Sequence, residues 1–455
     1  MSTPLYTLHR ILLAVLFVAA SIQPLAAQNR DNDNQNIREM SLEEALAIAE
    51  KENFQIRMAA SDIEITRSQY RQTNAVFLPQ ISLEETGVST NDPLSVFGFK
   101  LKQESVTTAD FNPARLNAPD PYENFTTKLQ IQQPLFNPDQ LFRRSAVKNQ
   151  LRAAEEQLKG TTSYARFQVK DTYYQLLLTD ERLSVINISL KAVQRNEEQA
   201  RDLREQGMIS KADYLAASVR VRDLESRQSE AEDQLQLVRE NLRFLLGMGE
   251  KVVIRPTDSL RLASAGVASI TDDSAVENST LKALRYRIEA AEEMVKSSKF
   301  SFIPSLNAFG SYEFNDNVMF GTRGESYFVG ATLKWDMFSG FSNAGKVMQS
   351  RAELKKATVA YRSQSLKTQM EIKQARRSVI QAQKQFNFAE ASAEQAAEDF
   401  RIRLDRYEQG METTSDLLLA EARLSKNRLQ RLNALYQYNI SLARLELLLE
   451  QELPN

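Results

Sequence analysis

The sequence contains two copies of one repeat unit, and this duplication limits the possible folds more than any other feature. Arg204–Met208 recurs as Tyr407–Met411, with the same Glu-Gln-Gly-Met tetrapeptide in both copies. Upstream, Phe77-Leu78-Pro79 corresponds to Phe302-Ile303-Pro304. The residues that match in register are Asn53, Asp213, Leu215, Ala217 and Arg220 in the first copy, with Asn278, Asp416, Leu418, Ala420 and Arg423 in the second. The fold must therefore be built from two similar halves.

The N-terminus has the pattern of a secretory signal peptide. His9 and Arg10 precede an unbroken apolar run from Ile11 to Ala20, which suits a signal-peptide core and is too short for a spanning helix of about 20 residues. We expect cleavage after Ala27. The predicted division is a signal peptide over residues 1–27, a polar N-terminal tail over 28–40, a first structural repeat over 41–247, a linker over 248–276 and a second structural repeat over 277–451.

Each repeat contains a very long helix, predicted from about Asp139 to Gln206 and from about Asn343 to Gln409. Apolar or small residues follow one another there at alternating steps of three and four, which indicates a heptad seam. In the first helix they begin with Val147, Leu151, Ala154, Leu158, Thr161 and Ala165. At 1.5 Å per residue, each helix would be about 100 Å long. On the helix pattern alone, an ordinary long coiled-coil rod remains open as an interpretation.

Alternating strands argue against a plain rod. Three segments, Asn124–Gln133, Leu306–Phe314 and Tyr327–Trp335, alternate apolar with polar residues and contain aromatics near their ends. This pattern is typical of strands in a membrane barrel, although a sheet with one face in water shows it too. The candidate lipid-facing residues are Phe125, Leu129, Ile131, Leu333 and Trp335.

Each repeat thus reads as helix, strand, loop, strand, very long helix, turn and helix, which gives four strands per chain. Four strands cannot close a barrel, and open edges are not tolerated in lipid. Three chains with four strands each would supply twelve. The first copy also carries an insertion from Ser89 to Glu123, rich in Pro, Asn and Asp, which we interpret as an outward-facing loop.

The composition leaves little for catalysis or cofactor binding. The chain has no Cys, and its single His is His9, inside the predicted signal peptide. The mature protein would lack the usual general base, the thiol nucleophile and the ligands of most zinc and copper sites. We expect no catalytic residue, metal or cofactor, although a carboxylate-only enzyme stays formally open. The net charge is −2, and without a basic block nucleic acid is not an expected partner.

The doubled unit resembles the TolC-like outer-membrane efflux and secretion factor family across the mature chain. The resemblance is carried by Phe-x-Pro before each hairpin, the long helix after it and the turns that begin at Gly207 and Gly410. It implies a mostly α-helical chain with a β-barrel portion. A homotrimer would form a 12-stranded barrel in the cell outer membrane lipid and a helical tunnel in the periplasm, where most of the chain would lie. The implied role is a passive conduit in a tripartite efflux pump or type I secretion system. A periplasmic adaptor protein would dock at the tunnel tip, together with an inner-membrane pump.

The resemblance also points to acidic residues near the tip. The family places one acid after the glycine turn and a second three positions later, which here are Asp416 and Leu419, so the second acid is missing. Glu412 occupies a position where some members have a basic residue that holds the closed state. Asp213 and Asp416 also follow Ser210 and Thr413 at the spacing of a helix capping box, so we interpret helix capping as the main role of each Asp and lumen lining as a compatible second role.

Three functions are considered from the sequence. The first is the outer-membrane channel. The alternative is a periplasmic or secreted coiled-coil scaffold without channel activity, and the third is a carboxylate enzyme on a helical fold.

Overall fold

The computed structural model describes residues 36–249, 252–262 and 277–451. The predicted signal peptide, residues 28–35 of the predicted tail and the linker from 263 to 276 lie outside the described residues. The first half contains β1 (Asn36–Met40), α1 (Leu42–Glu52), α2 (Phe54–Gln72), β2 (Gln80–Thr90), α3 (Pro93–Lys102), α4 (Pro113–Asn117), β3 (Tyr122–Phe136), α5 (Pro138–Glu205) and α6 (Lys211–Leu245). The second half contains β4 (Val252–Pro256), α7 (Ser279–Phe300), β5 (Ser305–Asp316), β6 (Gly324–Lys334), α8 (Ser342–Glu408) and α9 (Thr414–Leu449).

The two long helices match the sequence prediction to within a residue or two at each end. α5 has 68 residues and α8 has 67, so each is about 100 Å long at 1.5 Å per residue. α5 packs against α6 and α7, and α8 packs against α9. Their seams bury small and apolar side chains, including Val193 of α5 and Val379 of α8. The long helices are therefore held laterally by partner helices, as a heptad pattern predicts.

The matched asparagines of the two repeats have the same structural role. Asn53 caps α2, because its side-chain oxygen accepts hydrogen bonds from the backbone N–H groups of Gln55 and Ile56. Asn278 caps α7 by accepting one from the backbone N–H of Leu281 at 3.1 Å. A side-chain amide at this position satisfies backbone donors that the helix itself leaves free.

The four predicted strands form one antiparallel sheet in the order β2-β3-β5-β6. The chain enters α5 directly after β3 and reaches α8 shortly after β6, so both long helices leave from the same end of the sheet. Trp335 was predicted within the last strand, but β6 ends at Lys334. The indole N–H of Trp335 donates to the backbone oxygen of Phe302 at 3.1 Å, which draws this side chain toward the α7–β5 connection.

A second, small sheet was not predicted. Residues 36–40, placed in the polar tail by the sequence, form β1 and pair in parallel with β4, which lies in the predicted linker. Met40 and Ile254 are fully buried there, in a cluster with Tyr173 of α5. The hydroxyl of Tyr173 donates to the backbone oxygen of Met40 at 2.8 Å. This sheet joins the start of the described chain to the region between the repeats.

The insertion between β2 and β3 also differs from the predicted loop, because it contains α3 and α4 and a short 3₁₀ turn over Thr108–Phe111. Within the described ranges, no helix combines the length and the apolar character that crossing a membrane requires.

Candidate functional site

The four-stranded sheet has one predominantly apolar face. The strand register aligns Leu129 with Leu83 and Tyr312, and Tyr312 with Tyr327. The next row of the same face aligns Ile131 with Ile81 and Gly310, and Gly310 with Val329. Of the sequence candidates, Phe125, Leu129, Ile131 and Leu333 share this face. Apolar residues on this face that are not among the five lipid-facing candidates are Ile81, Leu83, Tyr327 and Val329.

This apolar face is exposed in a single chain. Val329 retains 77% of its accessible surface and Leu333 retains 67%. Further large apolar side chains are exposed where the sheet meets the long helices, and these are Phe77, Phe302, Trp335, Phe338 and Phe341. Soluble monomers rarely expose a contiguous apolar surface of this extent. An apolar band ending in aromatic side chains is instead typical of strands that face lipid.

The opposite face of the sheet is predominantly polar. Lys128 of β3 forms an ion pair with Glu313 of β5 at 3.0 Å. Gln130 lies beside Ser82 and Ser311 in the register, and Thr332 lies beside Asn307. Two aromatics interrupt the pattern, because the rings of Phe309 and Phe328 stack with their centres 5.9 Å apart. The sheet therefore separates an apolar surface from a polar one across its whole width.

The far ends of the long helices form two matching turns. Gly207 and Gly410 both have φ of +73°, a left-handed conformation that glycine adopts with little strain. After α5, the N–H of Met208 donates to the oxygen of Leu203 at 2.8 Å, and after α8, the N–H of Met411 donates to the oxygen of Arg406 at 2.9 Å. These bonds close the last helical turn in the same manner. Both glycines thus end their helices, as the sequence predicts.

The two candidate acids after the turns take part in helix caps that are not identical. At the start of α6, Ser210 and Asp213 form a complete capping box, in which each side chain accepts from the other's backbone N–H at 3.2 Å. At the start of α9, the backbone N–H of Asp416 donates to the hydroxyl of Thr413 at 3.2 Å, and that hydroxyl donates to the Asp416 carboxylate at 2.6 Å. Among the hydrogen bonds of this described segment, the return bond from the backbone N–H of Thr413 is absent. Asp416 is exposed, whereas Asp213 is half-buried.

Glu412 does not point freely into solvent. One carboxylate oxygen accepts from the Arg403 guanidinium at 2.8 Å, and the other lies 3.4 Å from Nε of Arg406. Only 9% of the Glu412 side chain is exposed. The hydrogen bonds that Arg403 donates to the Asp399 carboxylate and Arg401 donates to the Glu398 carboxylate raise the pKa values of both arginines above the ordinary arginine value. The contacts of Glu412 therefore connect the turn to the last helical turns of α8 in the same chain.

An ion pair between the repeats, near the turns, escaped the sequence analysis. Glu421 of α9 is 3% exposed and accepts two hydrogen bonds from Arg220 of α6. Sequence periodicity gives no direct signal for this pair, because one partner lies in each repeat. Leu417 and Leu418 are buried nearby, whereas Leu215 and Leu419 are exposed.

The described residues contain no cluster of three or more His, Cys, Asp or Glu side chains suited to a metal ion. The notable features are thus a two-faced sheet at one end of the long helices and paired glycine turns at the other. Neither arrangement resembles an enclosed catalytic pocket.

Comparisons with known proteins agree with this architecture. The sequence profile of the family described as "Outer membrane efflux protein" matches residues 45–248 and 270–450. The chain is 21% identical over 267 residues to the alkaline protease secretion protein AprF of Pseudomonas aeruginosa, an alignment that covers 56% of this chain and 53% of that relative. It is 24% identical over 361 residues to the outer membrane protein TolC of Vibrio cholerae, covering 74% of this chain and 80% of that protein.

Solved structures show the same fold. The CmeC outer membrane channel of Campylobacter jejuni superposes with a TM-score of 0.77 at 15% identity, over 90% of this chain and 85% of that one. The MtrE outer membrane channel of Neisseria gonorrhoeae gives a TM-score of 0.71 at 17% identity, over 90% and 89%. Since the family profile matches both repeats, the chain belongs to the outer membrane efflux protein family.

Proposed function

We propose that the protein is the subunit of a trimeric outer-membrane conduit, with a barrel of twelve strands in the membrane and a tunnel of long helices in the periplasm. Its family membership makes it an outer-membrane channel for efflux or secretion rather than an enzyme. The scaffold and carboxylate-enzyme interpretations are therefore set aside. The proposal covers both routes, because the family is described as outer membrane efflux proteins and one relative is a secretion protein.

The observation that carries the proposal is the open, two-faced sheet. Its edge strands β2 and β6 have 11 residues each, and among the described residues of one chain neither has a partner strand on its outer side. A lipid-facing sheet with two open edges is not stable, because backbone N–H and C=O groups at the edge find no water there. Pairing β6 of one copy with β2 of the next satisfies both edges and repeats head to tail until the ring closes.

The number of copies follows from what a conduit needs. Each chain supplies four strands, so two copies give eight and three give twelve. A barrel of about eight strands is just wide enough for its side chains to fill, which leaves no aqueous path. Three copies are therefore the smallest assembly that supplies a lumen, and the apolar face turns to the lipid while the polar face lines the lumen.

At the other end, the turns at Gly207 and Gly410 form the periplasmic tip in this proposal. Exposed Met208, Met411 and Leu419 lie there and offer apolar contacts to a periplasmic adaptor protein that links the channel to an inner-membrane pump. We assign Asp416, an exposed acid at this tip, to the lumen lining.

Cross-linking tests the trimer directly, because the chain contains no cysteine. Cysteines placed at Ser82 in β2 and Phe328 in β6, which lie in one row of the polar face, should be joined between chains by a bifunctional maleimide, and denaturing gels should show bands up to the trimer. Cysteines at Gln130 and Ser311, which face each other within one chain, serve as the matched control and should give only monomer. A ladder that stops at the dimer, or a protein extracted without detergent, would contradict the proposal.

A further inference from the structure

The insertion between β2 and β3 folds back over the polar face of the sheet instead of extending away from it. We infer that this insertion, centred on α3, lies within the extracellular mouth of the assembled channel and narrows the exit through which solutes leave. The inference rests on the proposed function, since it requires the polar face to line the lumen.

The anchor of the insertion is Gln103, which directly follows α3 and is 0% exposed. Its side-chain amide donates to the backbone oxygen of Glu123 and to Oδ1 of Asn124, both at 2.9 Å. Its Oε1 accepts from the hydroxyl of Tyr122 at 2.7 Å. A buried amide with all three of these partners fixes the end of α3 to β3.

The anchored surface belongs to the polar face. Asn124 continues the network by donating to Thr126 Oγ1 at 2.8 Å and to Asn315 Oδ1 at 3.2 Å. In the register, Thr126 lies beside Asn315, and Asn315 lies beside Gly324. This row is on the same side of the sheet as the Lys128–Glu313 ion pair. The end of α3 thus covers the polar row at this end of the strands and does not cover the apolar face.

Gly324 shows how closely the insertion approaches. A Cβ added there would lie 1.9 Å from the backbone oxygen of Lys102, the last residue of α3. Because the obstacle is backbone, it cannot rotate away as a side chain can. The absence of a side chain at Gly324 therefore lets α3 reach the sheet.

The insertion is a folded element that can act as a constriction. Asp92 caps α3 by accepting from the N–H of Ser95 at 2.8 Å. Lys100 pairs with Asp110 at 2.6 Å, and this hydrogen bond, with others from Thr107, lowers the pKa of Asp110 below the ordinary aspartate value. The rings of Phe97 and Phe111 meet edge to face with centres 5.8 Å apart.

The position along the channel follows from the direction of β3. The insertion joins β3 at Tyr122, and α5 begins at Pro138 just beyond the other end of the strand. With the long helices in the periplasm, the insertion is at the extracellular end. Three copies bring three α3 helices into the mouth, so a solute leaving the lumen passes between them last.

Conductance in planar bilayers tests the constriction. Gln103→Ala removes the anchor, and Gly324→Ala forces α3 away from the sheet, so both should raise the single-channel conductance. Gly98→Ala is the matched control within α3, because a Cβ there meets nothing within 4 Å, and its conductance should stay at the wild-type value. Replacing residues 93–121 by a short Gly-Ser turn gives a variant that depends on neither substitution and should produce the largest rise. Unchanged conductance in this deletion, with the trimer intact on gels, would overturn the inference.

Cysteine labelling separates this inference from the proposed function. A single cysteine at Gln130, on the polar face below α3, should react from outside intact cells with a small maleimide but not with a large polyethylene-glycol maleimide. Gln103→Ala in the same background should admit the large reagent. If the large reagent already labels Gln130→Cys in the otherwise wild-type protein and Leu129→Cys is shielded by lipid, the proposed barrel is supported and the proposed constriction is contradicted. If both reagents label Gln130→Cys and Leu129→Cys equally, the proposed barrel itself is contradicted.

Discussion

The guanidinium of Arg220 donates two hydrogen bonds, at 3.1 and 2.8 Å, to the same carboxylate oxygen of Glu421, which lies 201 positions later in the chain. The other carboxylate oxygen of Glu421 is buried and accepts no hydrogen bond from any residue that the structure describes. Arg220 also pairs with Asp223 at 2.6 Å. The pair joins α6 of the first repeat to α9 of the second close to the glycine turns. It is the polar counterpart of the nearby apolar contact between Leu418 and the first repeat.

Removing one partner of this pair should lower the unfolding free energy more than replacing both partners. Arg220→Ala leaves the buried Glu421 carboxylate without its counter-charge, and we expect a loss of about 3 to 5 kcal/mol in unfolding free energy. The double variant Arg220→Met, Glu421→Leu should recover much of the loss. Arg401→Ala, which breaks exposed ion pairs with Glu398 and Asp405, should lower the unfolding free energy far less, because solvent screens such pairs. Denaturant unfolding followed by circular dichroism measures all three, and equal losses for Arg220→Ala and Arg401→Ala would contradict the expectation.

Substitution of glycine by alanine should have opposite effects on stability at the two turns and within α8. Gly207→Ala and Gly410→Ala each force a side chain into the left-handed region and should destabilise the protein by about 1 to 2 kcal/mol. Gly345→Ala lies within α8, where a Cβ meets nothing within 4 Å, and should stabilise it by about 1 kcal/mol. Thermal melts of the three variants in detergent check the signs. A stabilising alanine at either turn would show that these conformations are not required.

These turns also show what the sequence predicts well. The helix-stopping glycines, the caps at Ser210 and Thr413 and the ends of the long helices depend on residues close together in the chain, so local patterns reveal them. The alternation at Leu129 and Ile131 likewise predicts which side chains share a face.

Contacts between distant segments could not be predicted in this way. The pairing of β1 with β4 joins two short segments whose composition reads as tail and linker, and only the burial of Met40 and Ile254 against α5 explains them. The Gln103 anchor is similar, because a polar, proline-rich insertion gives no sign of which face it will cover. The Glu412 contacts depend on the turn bringing that residue back toward Arg403 and Arg406.

The two faces of the sheet predict opposite effects of added charge. Lysine at Leu129 or Leu333, on the apolar face, should cost about 2 to 4 kcal/mol near the middle of the bilayer and reduce the yield of assembled trimer. Lysine at the neighbouring Gln130 or Thr332, on the polar face, should leave the yield unchanged. Semi-native gels of outer-membrane extracts measure the trimer. Equal effects at both pairs would mean that the faces are wrongly assigned.

Substitutions of the acids at the turns distinguish a role in helix capping from a role in lining the lumen. Asp416→Asn keeps a side-chain acceptor for the Thr413 hydroxyl and a backbone N–H for the cap, so the fold and trimer yield should be retained. The exposed carboxylates of three copies would lie close together at a narrow tip and attract cations. Their neutralisation should therefore lower cation selectivity and weaken block by multivalent cations in planar bilayers.

Asp213→Asn is the matched control, because Asp213 belongs to the complete capping box and is half-buried. It should leave selectivity and cation block unchanged. Glu412→Gln is a second comparison, since this carboxylate is engaged by Arg403 and Arg406 and its loss should loosen the turn without the same effect on selectivity. If Asp416→Asn also left selectivity and block at wild-type values with trimer yield intact, the Asp416 carboxylate would be a helix cap only. The narrowest charged part of the conduit would then lie elsewhere than at this turn, even with the channel itself intact.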